Sequence, residues 1–276
     1  MVEGTTRVPP MTLVGRAGRS IRYRSDDWVR GLNKVTPHWP VPPLTAPVVA
    51  CCVYREVNAP FVRRMLHQLP DGAEVRLHAL GAVPGDLERL TLSAGPGLRM
   101  PLLQSLLDAA PVAPDAWVVV FDDDTDFARP GRSAFLDIAA AAGFDIAGAA
   151  IDVRQPRTFP HTRVARASMA RTVRMVEVGP VLALSPRAIA QVCPFPSDSG
   201  MGWGLDVRWS QLPGLRHGYV DATPIRHHGA VGVAYEKREE TRRLDDELAR
   251  AGVDSLPDMA QTFERWPVWS RRPPWL

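Results

Sequence analysis

Residues Trp117 to Phe127 read WVVVFDDDTDF, an apolar run that passes directly into a cluster of carboxylates. A continuous apolar run with β-branched residues is typical of a strand buried on both faces, as in a parallel sheet. The three consecutive aspartates at its end, Asp122, Asp123 and Asp124, would repel one another unless a cation neutralised them. Side chains alternate along an extended chain, so Asp122 and Asp124 are expected to face the same way. Such a pair can hold a hard divalent ion and leave coordination positions for substrate phosphates. The alternative is a solvated acidic turn in which Asp126 caps the next helix.

Length and composition indicate an ordinary globular protein. The chain has 276 residues, 45% hydrophobic and 23% charged, with a net charge of +3, which suits one large α/β domain or two small ones. No dense basic run is interleaved with aromatics, so nucleic-acid binding is not expected. The three cysteines form neither a CxxC pair nor a disulfide framework, which favours reduced thiols. Without a secretory apolar core or a membrane-spanning run, we expect a cytoplasmic protein.

The first ordered part of the chain alternates strands with helices. Apolar runs predict strands, and apolar residues at helical spacing predict helices between them. The order argues for a doubly wound sheet with right-handed crossovers, in which ligands bind beyond the carboxyl ends of the strands. The predicted strands are 46–53, 73–80 and 117–121, and the predicted helices are 61–69 and 98–110.

The second part of the chain has weaker patterns. Ser185 before Pro186 predicts a capped helix start, since serine is favoured at the cap and proline in the first turn. The other predictions are a helix at 133–142, a strand at 144–151, a loop at 154–171, a strand bent by Gly179-Pro180 at 173–184, a helical turn at 207–212, a short strand at 219–220 and a charged helix at 235–251.

Composition also predicts how the chain is divided. Residues 1–45 are rich in proline and arginine, which precludes a long helix and favours an extended arm. Residues 46–252 form the predicted domain, with a nucleotide-binding half at 46–127 and an acceptor half at 128–252. Residues 253–276 form a tail rich in tryptophan and proline, which we expect to dock on the domain.

Five motifs follow one another in a distinctive order. They are the Gly-x-Gly-x-Arg stretch from Gly95 to Arg99, the Asp-x-Asp (DXD) triplet from Asp122 to Asp124, Val176 to Pro180, Gly202 to Asp206, and Val220-Asp221 with His227 to Gly229. Over roughly residues 46 to 230, this order resembles the GT-A glycosyltransferases. The resemblance implies an α/β fold, a GT-A-like, Rossmann-type mixed sheet flanked by helices in a single domain. It also implies sugar transfer from a nucleotide-sugar, a UDP- or GDP-sugar, to a small-molecule or glycan acceptor.

The resemblance implies a divalent metal, Mn²⁺ or Mg²⁺. Asp124 is the expected direct ligand, and Asp122 is expected to reach the metal or the ribose. A late histidine often completes the metal shell in this family, which implies His227, with His228 as second choice. A neutral imidazole fits Mn²⁺ better than Mg²⁺. The alternative for the histidine pair is a surface turn, or one core histidine bonded to a backbone carbonyl.

Four further residues are predicted to bind the donor. Tyr54 and Arg55 end the first strand, where they would meet the nucleotide base and ribose. Arg99 could pair with the diphosphate through its fork of donors, the alternative being a surface arginine. Asp123 lies between the two aspartates of the motif and is grouped with the donor site.

The acceptor side is predicted from the GWGLD segment and Glu177. Asp206 could take the proton of an acceptor hydroxyl, a role that the resemblance implies if the enzyme inverts; otherwise it is a helix N-cap. Trp203 could stack on a sugar or lie in the core, and Gly204 would let the backbone approach substrate closely. Glu177 sits in an apolar run, where a carboxylate needs a partner such as an arginine or the acceptor.

Three other classes remain as alternatives. A phosphatase of the haloacid dehalogenase type also places Asp-x-Asp after an apolar strand, but on its first strand and with Thr or Val where this chain has Asp126. A nucleotidyltransferase uses a similar sheet and metal but begins with a Gly-rich loop, unlike residues 54–58. A non-catalytic carbohydrate- or nucleotide-binding module is the third. The sugar, the nucleotide, the acceptor and the stereochemical outcome stay open.

Overall fold

The computed structural model describes residues 41–128, 134–152, 160–229, 237–268 and 270. Most of the predicted arm at 1–45 therefore lies outside the described residues. Parts of the predicted loop at 154–171 and of the tail at 253–276 also lie outside them. The elements below all fall within the described ranges.

One mixed sheet runs through both predicted halves of the domain. Its strands are β1 (Val48–Tyr54), β2 (Glu74–Ala79), β3 (Thr91–Ala94), β4 (Trp117–Phe121), β5 (Thr125–Phe127), β6 (Ile146–Ile151), β7 (Ser168–Val173), β8 (Val181–Leu184), β9 (His217–His227) and β10 (Thr262–Pro267). Their order is β10-β7-β9-β6-β8-β4-β1-β2-β3, and β5 pairs with β9 beside this path. The predicted fold class, an α/β mixed sheet flanked by helices in one domain, is confirmed.

The strands β1 and β4 are parallel neighbours, which positions the acidic turn. Their register pairs Val48 with Trp117 and Cys51 with Val120. Their carboxyl ends therefore meet at one edge of the sheet, where ligands of such sheets bind. All five residues of β4 are buried, as the continuous apolar run predicts. Beyond β4 the sheet turns antiparallel at β8.

Helices cover both faces of the sheet. In the described residues they are α1 (Ala59–Leu66), α2 (Arg99–Asp108), α3 (Phe135–Ala141), α4 (Pro186–Val192), α5 (Leu205–Trp209), α6 (Lys237–Arg250) and α7 (Leu256–Met259). The hydroxyl of Ser185 accepts a hydrogen bond from the amide of Ala188, 3.2 Å away, which confirms the predicted cap. None of the described helices has the length and apolar character needed to cross a membrane.

Two apolar layers lie on opposite faces of β1. Val48, Ala50 and Cys52 pack in the layer that also contains residues of α1 and α3. Val49 and Cys51 pack in the other, with residues of α2 and α4. Because successive side chains of β1 enter different apolar layers, both faces of the strand require apolar residues. Both layers bury the strands that lead to the acidic turn.

Several predicted elements need correction. The short strand expected at 219–220 is β9, which has eleven residues, because its interleaved polar residues find buried partners. Part of the loop expected at 154–171 is the wholly buried strand β7. The tail supplies β10, which pairs antiparallel with β7. The strands β3 and β5 were not predicted, since each is too short for a clear pattern.

A buried arginine closes the carboxyl end of α2. Arg76, only 1% exposed, donates from Nη1 to the carbonyls of Leu106, Leu107 and Ala110 at 3.1, 3.0 and 2.9 Å. These carbonyls include unpaired groups of the last helical turn, which a cationic donor stabilises. On its other side, Nε of Arg76 lies 2.7 Å from Oε1 of Glu74.

Replacing Arg76 by methionine is expected to lower the free energy of unfolding by about 3 kcal/mol, because it leaves several buried carbonyls without a donor. Urea denaturation measures this. The matched control is Glu74→Gln, which alters the half-exposed partner and should cost less than about 1 kcal/mol. Equal losses in the two variants would show that the ion pair, and not the helix end, is what Arg76 stabilises.

Candidate active site

Two ion pairs stand side by side at the end of β4. Asp122 Oδ1 lies 2.8 Å from Nη2 of Arg99, and Asp124 Oδ1 lies 3.2 Å from Nε2 of His227. Burial raises the pKa of Asp122, and the charges of Arg99, Asp124 and His227 also act on it. The two aspartates therefore lie near one another, but residues 122–125 form a turn and not the extended chain on which the predicted alternation depends.

Backbone pairing delivers His227 to Asp124. The antiparallel pairing of β5 with β9 sets Thr125 opposite His227, and the amide of His228 donates to the carbonyl of Asp124 at 2.8 Å. Burial acts to raise the pKa of Asp124, but the hydrogen bond and charge of His227 outweigh it and lower that pKa. Gly229 completes the turn: a Cβ there would lie 1.9 Å from Oδ2 of Asp124, so the carboxylate occupies space that only glycine leaves open.

The second histidine has different partners. Nε2 of His228 lies 3.2 Å from Oδ1 of Asp126, and its ring stacks on Phe61 with centroids 4.2 Å apart. Asp126 is fully buried and also accepts from Nε of Arg64 at 2.7 Å and of Arg226 at 2.9 Å. Asp126 lies in β5 with these cationic partners, so it is neither a solvated turn residue nor a helix cap. Of the two predicted histidines, the structure brings only His227 to Asp124.

Arg99 ties the acidic turn to two other segments. Besides its pair with Asp122, Nη1 of Arg99 donates to the carbonyls of Val178 at 3.1 Å and Met201 at 3.5 Å. The side chain is 9% exposed, so it is not the surface arginine of the alternative interpretation. Gly179 passes close by, and a Cβ on it would lie 3.2 Å from Oδ2 of Asp122. Contact of Arg99 with a diphosphate stays a prediction.

Tyr219 links the two predicted acceptor-side carboxylates. Its hydroxyl accepts a hydrogen bond from the amide of Glu177 at 2.9 Å. Burial raises the pKa of Tyr219, and the charges of Glu177 and Asp206 raise it further. The charge of Glu177 also acts on the pKa of His227. Glu177 therefore lies near both Tyr219 and the Asp124–His227 pair.

Asp206 is a buried carboxylate that accepts hydrogen bonds from the backbone. It is 5% exposed, and Oδ1 accepts from the amide of Val207 at 2.9 Å. Burial raises its pKa to about 6, against the lowering effect of backbone hydrogen bonds. The N-cap of α5 is Gly204, with a φ of 87°, so Asp206 lies inside the helix and is not its cap.

The segment around Trp203 packs against protein. The ring of Trp203 rests on an apolar cluster of Met175, Val207, Leu244, Leu248 and Met259. A Cβ on Gly204 would lie 2.9 Å from Cγ of Glu247 in α6. This glycine therefore permits a close approach to α6, and an approach of its backbone to substrate stays a prediction. A sugar contact by Trp203 stays a prediction.

Tyr54 at the end of β1 and Arg55 directly after it, both predicted to bind the nucleotide-sugar, contact other side chains of the protein. Tyr54 is fully buried, and its hydroxyl lies 2.9 Å from Oγ1 of Thr91. Its ring therefore belongs to the core, which corrects the predicted contact with the nucleotide base. Asp123 accepts from Nε and Nη2 of Arg55 at 3.0 and 2.8 Å. Asp123 is buried in this pair, whereas the Arg55 side chain is 42% exposed and remains at the edge of the crevice.

Two contributors were missed from the sequence. Tyr219 shares one face of β9 with His217 and Asp221. These three polar side chains at alternate positions are the signal in the sequence that could have identified it. Met201 contributes only backbone groups, for which the sequence carries no signal apart from the neighbouring glycines.

Few side chains at the acidic turn are placed to bind a metal ion. No group of three His, Cys, Asp or Glu side chains in the described part of the chain is gathered to hold a metal ion. Asp124 and His227 nevertheless bring an oxygen and a nitrogen donor together, with Asp122 beside them. Because Gly229 has no side chain, the carboxylate of Asp124 can occupy this position beside His227.

Comparison with known proteins finds solved structures that are similar to this chain in fold. No family model matches the sequence, and no curated protein matches it significantly. The crystal structure of GalNAc-T7 with UDP, GalNAc and Mn²⁺ has a TM-score of 0.54 and 8% identity, covering 88% of this chain and 58% of that one. The mannosyltransferase PcManGT from Pyrobaculum calidifontis, in complex with GDP-Man and Mn²⁺, has a TM-score of 0.54 and 14% identity, covering 87% and 74%.

A third structure is similar over a slightly smaller part of the chain. S. aureus TarS 1–349 in complex with UDP-GlcNAc has a TM-score of 0.51 and 13% identity, covering 78% of this chain and 69% of that one. The chain spans less than two thirds of GalNAc-T7. At such identities the similarity concerns the fold alone. This chain has the GT-A fold of the nucleotide-sugar glycosyltransferases.

Proposed function

We propose that this protein is a metal-dependent glycosyltransferase that moves a sugar from a UDP- or GDP-sugar to an acceptor hydroxyl. The observation that carries the proposal is the Asp124–His227 pair, 3.2 Å apart at the carboxyl edge of a GT-A sheet. Residues 46–127 would bind the nucleotide and 128–252 the acceptor. The solved relatives named above contain UDP, GDP-Man or UDP-GlcNAc, two of them with Mn²⁺.

Asp124 and His227 would hold the divalent ion, with Asp122 close enough to join them or to bind the ribose. One carboxylate oxygen and one imidazole nitrogen form a donor set that suits Mn²⁺ better than Mg²⁺. When bound, the ion supplies Lewis-acid stabilisation of the charge that develops on the leaving diphosphate. Arg99 would hold Asp122 in position through its 2.8 Å ion pair.

Asp206 would act as the general base. The acceptor hydroxyl oxygen forms a bond to the anomeric carbon as the bond from that carbon to the diphosphate oxygen breaks. The hydroxyl proton passes to the carboxylate of Asp206, and the nucleoside diphosphate leaves. Burial keeps the pKa of this carboxyl at about 6, close to the pH at which a base is most effective. Glu177 and Trp203 would contact the acceptor.

Nucleotide binding provides the first test. A thermal-shift screen of UDP, GDP and their sugars, each with and without Mn²⁺, should show stabilisation that requires the metal, because a ligand bound only to the native state raises its apparent stability. Calorimetry on the best ligand then measures its affinity in both conditions. Binding that is indifferent to the metal would remove Asp124 and His227 from the proposed site.

The transfer rate should depend on pH through Asp206. A base accepts a proton only when it is ionised, so kcat/KM should rise with pH to a plateau, with the acidic limb centred at about 6. The measurement is kcat/KM for the acceptor from pH 4.5 to 8 at saturating donor and Mn²⁺, a profile that reports the donor-bound enzyme before the acceptor binds. A limb centred near 4, the ordinary value of an aspartate, would contradict a buried base.

A further inference from the structure

The helix α6 packs along the segment that carries Asp206. Gly200 and Gly204 both face it: a Cβ on Gly200 would lie 2.1 Å from Oε1 of Glu240, and one on Gly204 would lie 3.2 Å from the carbonyl of Arg243. Leu244 and Leu248 of the helix join the apolar cluster that receives Val207. One face of α6, spaced at three and four residues, therefore packs against Gly200, Gly204 and Val207.

Glu240 makes the polar contact at the centre of this packing. It is 4% exposed, and its Oε1 accepts from the amide of Met201 at 3.2 Å and from Nη1 of Arg243 at 2.6 Å. A buried carboxylate is costly unless it is paired, so these two donors define where Glu240 can lie. Its partner within the Gly200–Gly204 segment is the backbone amide of Met201.

Backbone carbonyls of the same stretch also accept hydrogen bonds from α2, the helix that begins at Arg99. The carbonyl of Gly200 accepts from the amide of Met100 at 3.0 Å, and the carbonyl of Met201 accepts from Arg99 at 3.5 Å. Arg99 also pairs with Asp122. A continuous set of polar contacts therefore runs from Glu240 through Met201 and Arg99 to the acidic turn.

We propose that Glu240 is a positioning residue, which fixes the Gly200–Gly204 segment so that Asp206 is held at the right place relative to the donor side. The inference rests on the proposed function, in which Asp206 is the base and Asp122 lies at the donor. Glu240 acts on this segment through the backbone amide of Met201. Glu247 supports the same segment further along, through its ion pair with Arg208.

Amide hydrogen exchange tests the contact without any need for activity. In Glu240→Ala the amides of residues 199–205 should exchange at least about 10-fold faster, because Met201 loses its acceptor. Glu240→Gln keeps an acceptor oxygen and should retain protection. The matched control is Glu239→Ala, an exposed glutamate of the same helix that also pairs with Arg243 and should leave this segment unchanged. Unaltered exchange in Glu240→Ala would overturn the proposal.

Kinetics distinguish positioning from a general loss of stability. Glu240→Ala should lower kcat by about 10-fold to 100-fold, the scale of a small misplacement of a reacting group, while the KM for the donor stays within about twofold. Glu240→Gln should restore most of kcat. The acidic limb of the pH profile should also move below that of the wild type, because a looser segment admits water to Asp206, whose pKa is raised by burial and whose charge acts on the buried Tyr219.

The outcomes separate this proposal from the proposed function. If the wild type binds no nucleotide-sugar, the function fails, and the exchange experiment still decides whether Glu240 orders the segment. If the wild type is active and Glu240→Ala loses thermal stability and donor affinity in proportion, with an unmoved pH limb, Glu240 is only structural. Gly204→Ala provides a second variant, since it strains a φ of 87° and crowds Glu247, and it should reproduce the loss of kcat.

Discussion

Asp206→Asn is expected to abolish sugar transfer while leaving nucleotide binding intact. An amide cannot take the proton of an acceptor hydroxyl, and removal of a positioned general base costs about 10²-fold to 10⁴-fold in rate. The side chain keeps its size, and Oδ1 can still accept from the amide of Val207, so the fold should not change. Transfer is measured with donor and acceptor in excess, and donor affinity is measured by calorimetry with Mn²⁺.

A matched control comes from the loop before the same helix. Asp198 is exposed, and Asp198→Asn makes the same chemical change without touching Asp206, so it should transfer sugar at the wild-type rate. Retained transfer in Asp206→Asn would show that this carboxylate is a structural part of α5, held by backbone amides. Glu177 would then become the next candidate for the base.

The second large effect is expected at the metal pair. Asp124→Ala and His227→Ala should each weaken Mn²⁺-dependent binding of the donor by more than about 10-fold to 100-fold, which is the loss typical of residues that only support a metal ligand. The reason is that each variant removes one of the two protein donors that lie 3.2 Å apart. Calorimetry with UDP or GDP at a series of Mn²⁺ concentrations measures the effect.

The neighbouring histidine provides the contrast. His228→Ala removes a ring that stacks on Phe61 and contacts Asp126, so it should lower stability but keep the dependence of donor binding on Mn²⁺. If His228→Ala lost that dependence and His227→Ala kept it, the assignment of the two imidazoles would be reversed. Equal behaviour of both variants would point to loss of the β5–β9 pairing instead.

The sequence predicts the donor half of the fold well. Apolar runs at β1 and β4 and helical spacing in α1 and α2 place the acidic turn at the correct edge, because burial on both faces leaves a continuous signal. The motif order also identifies Asp124 and His227 as neighbours although they are far apart in the chain. The strands and helices follow from local residue types, whereas the role of His227 is implied by the resemblance to the GT-A glycosyltransferases.

The remaining errors have physical causes. The length of β9 was missed because its polar residues, such as Asp221, are satisfied by buried partners that no local pattern reveals. Tyr54 was placed at the ligand because it ends a strand, yet its side chain turns into the core and bonds to Thr91. Glu240 could not be found from the sequence, since its partner is the backbone of Met201 and a charged helix does not show which of its carboxylates is buried.

The length of β9 has a consequence for how this protein can vary. The strand carries Tyr219 near its start and His227 at its end, and successive side chains of a strand point to opposite faces. Losing a single residue between them would present His228 to Asp124 in place of His227, and gaining one would present Arg226 there. Insertions and deletions within this strand should therefore be far less tolerable than changes of residue type.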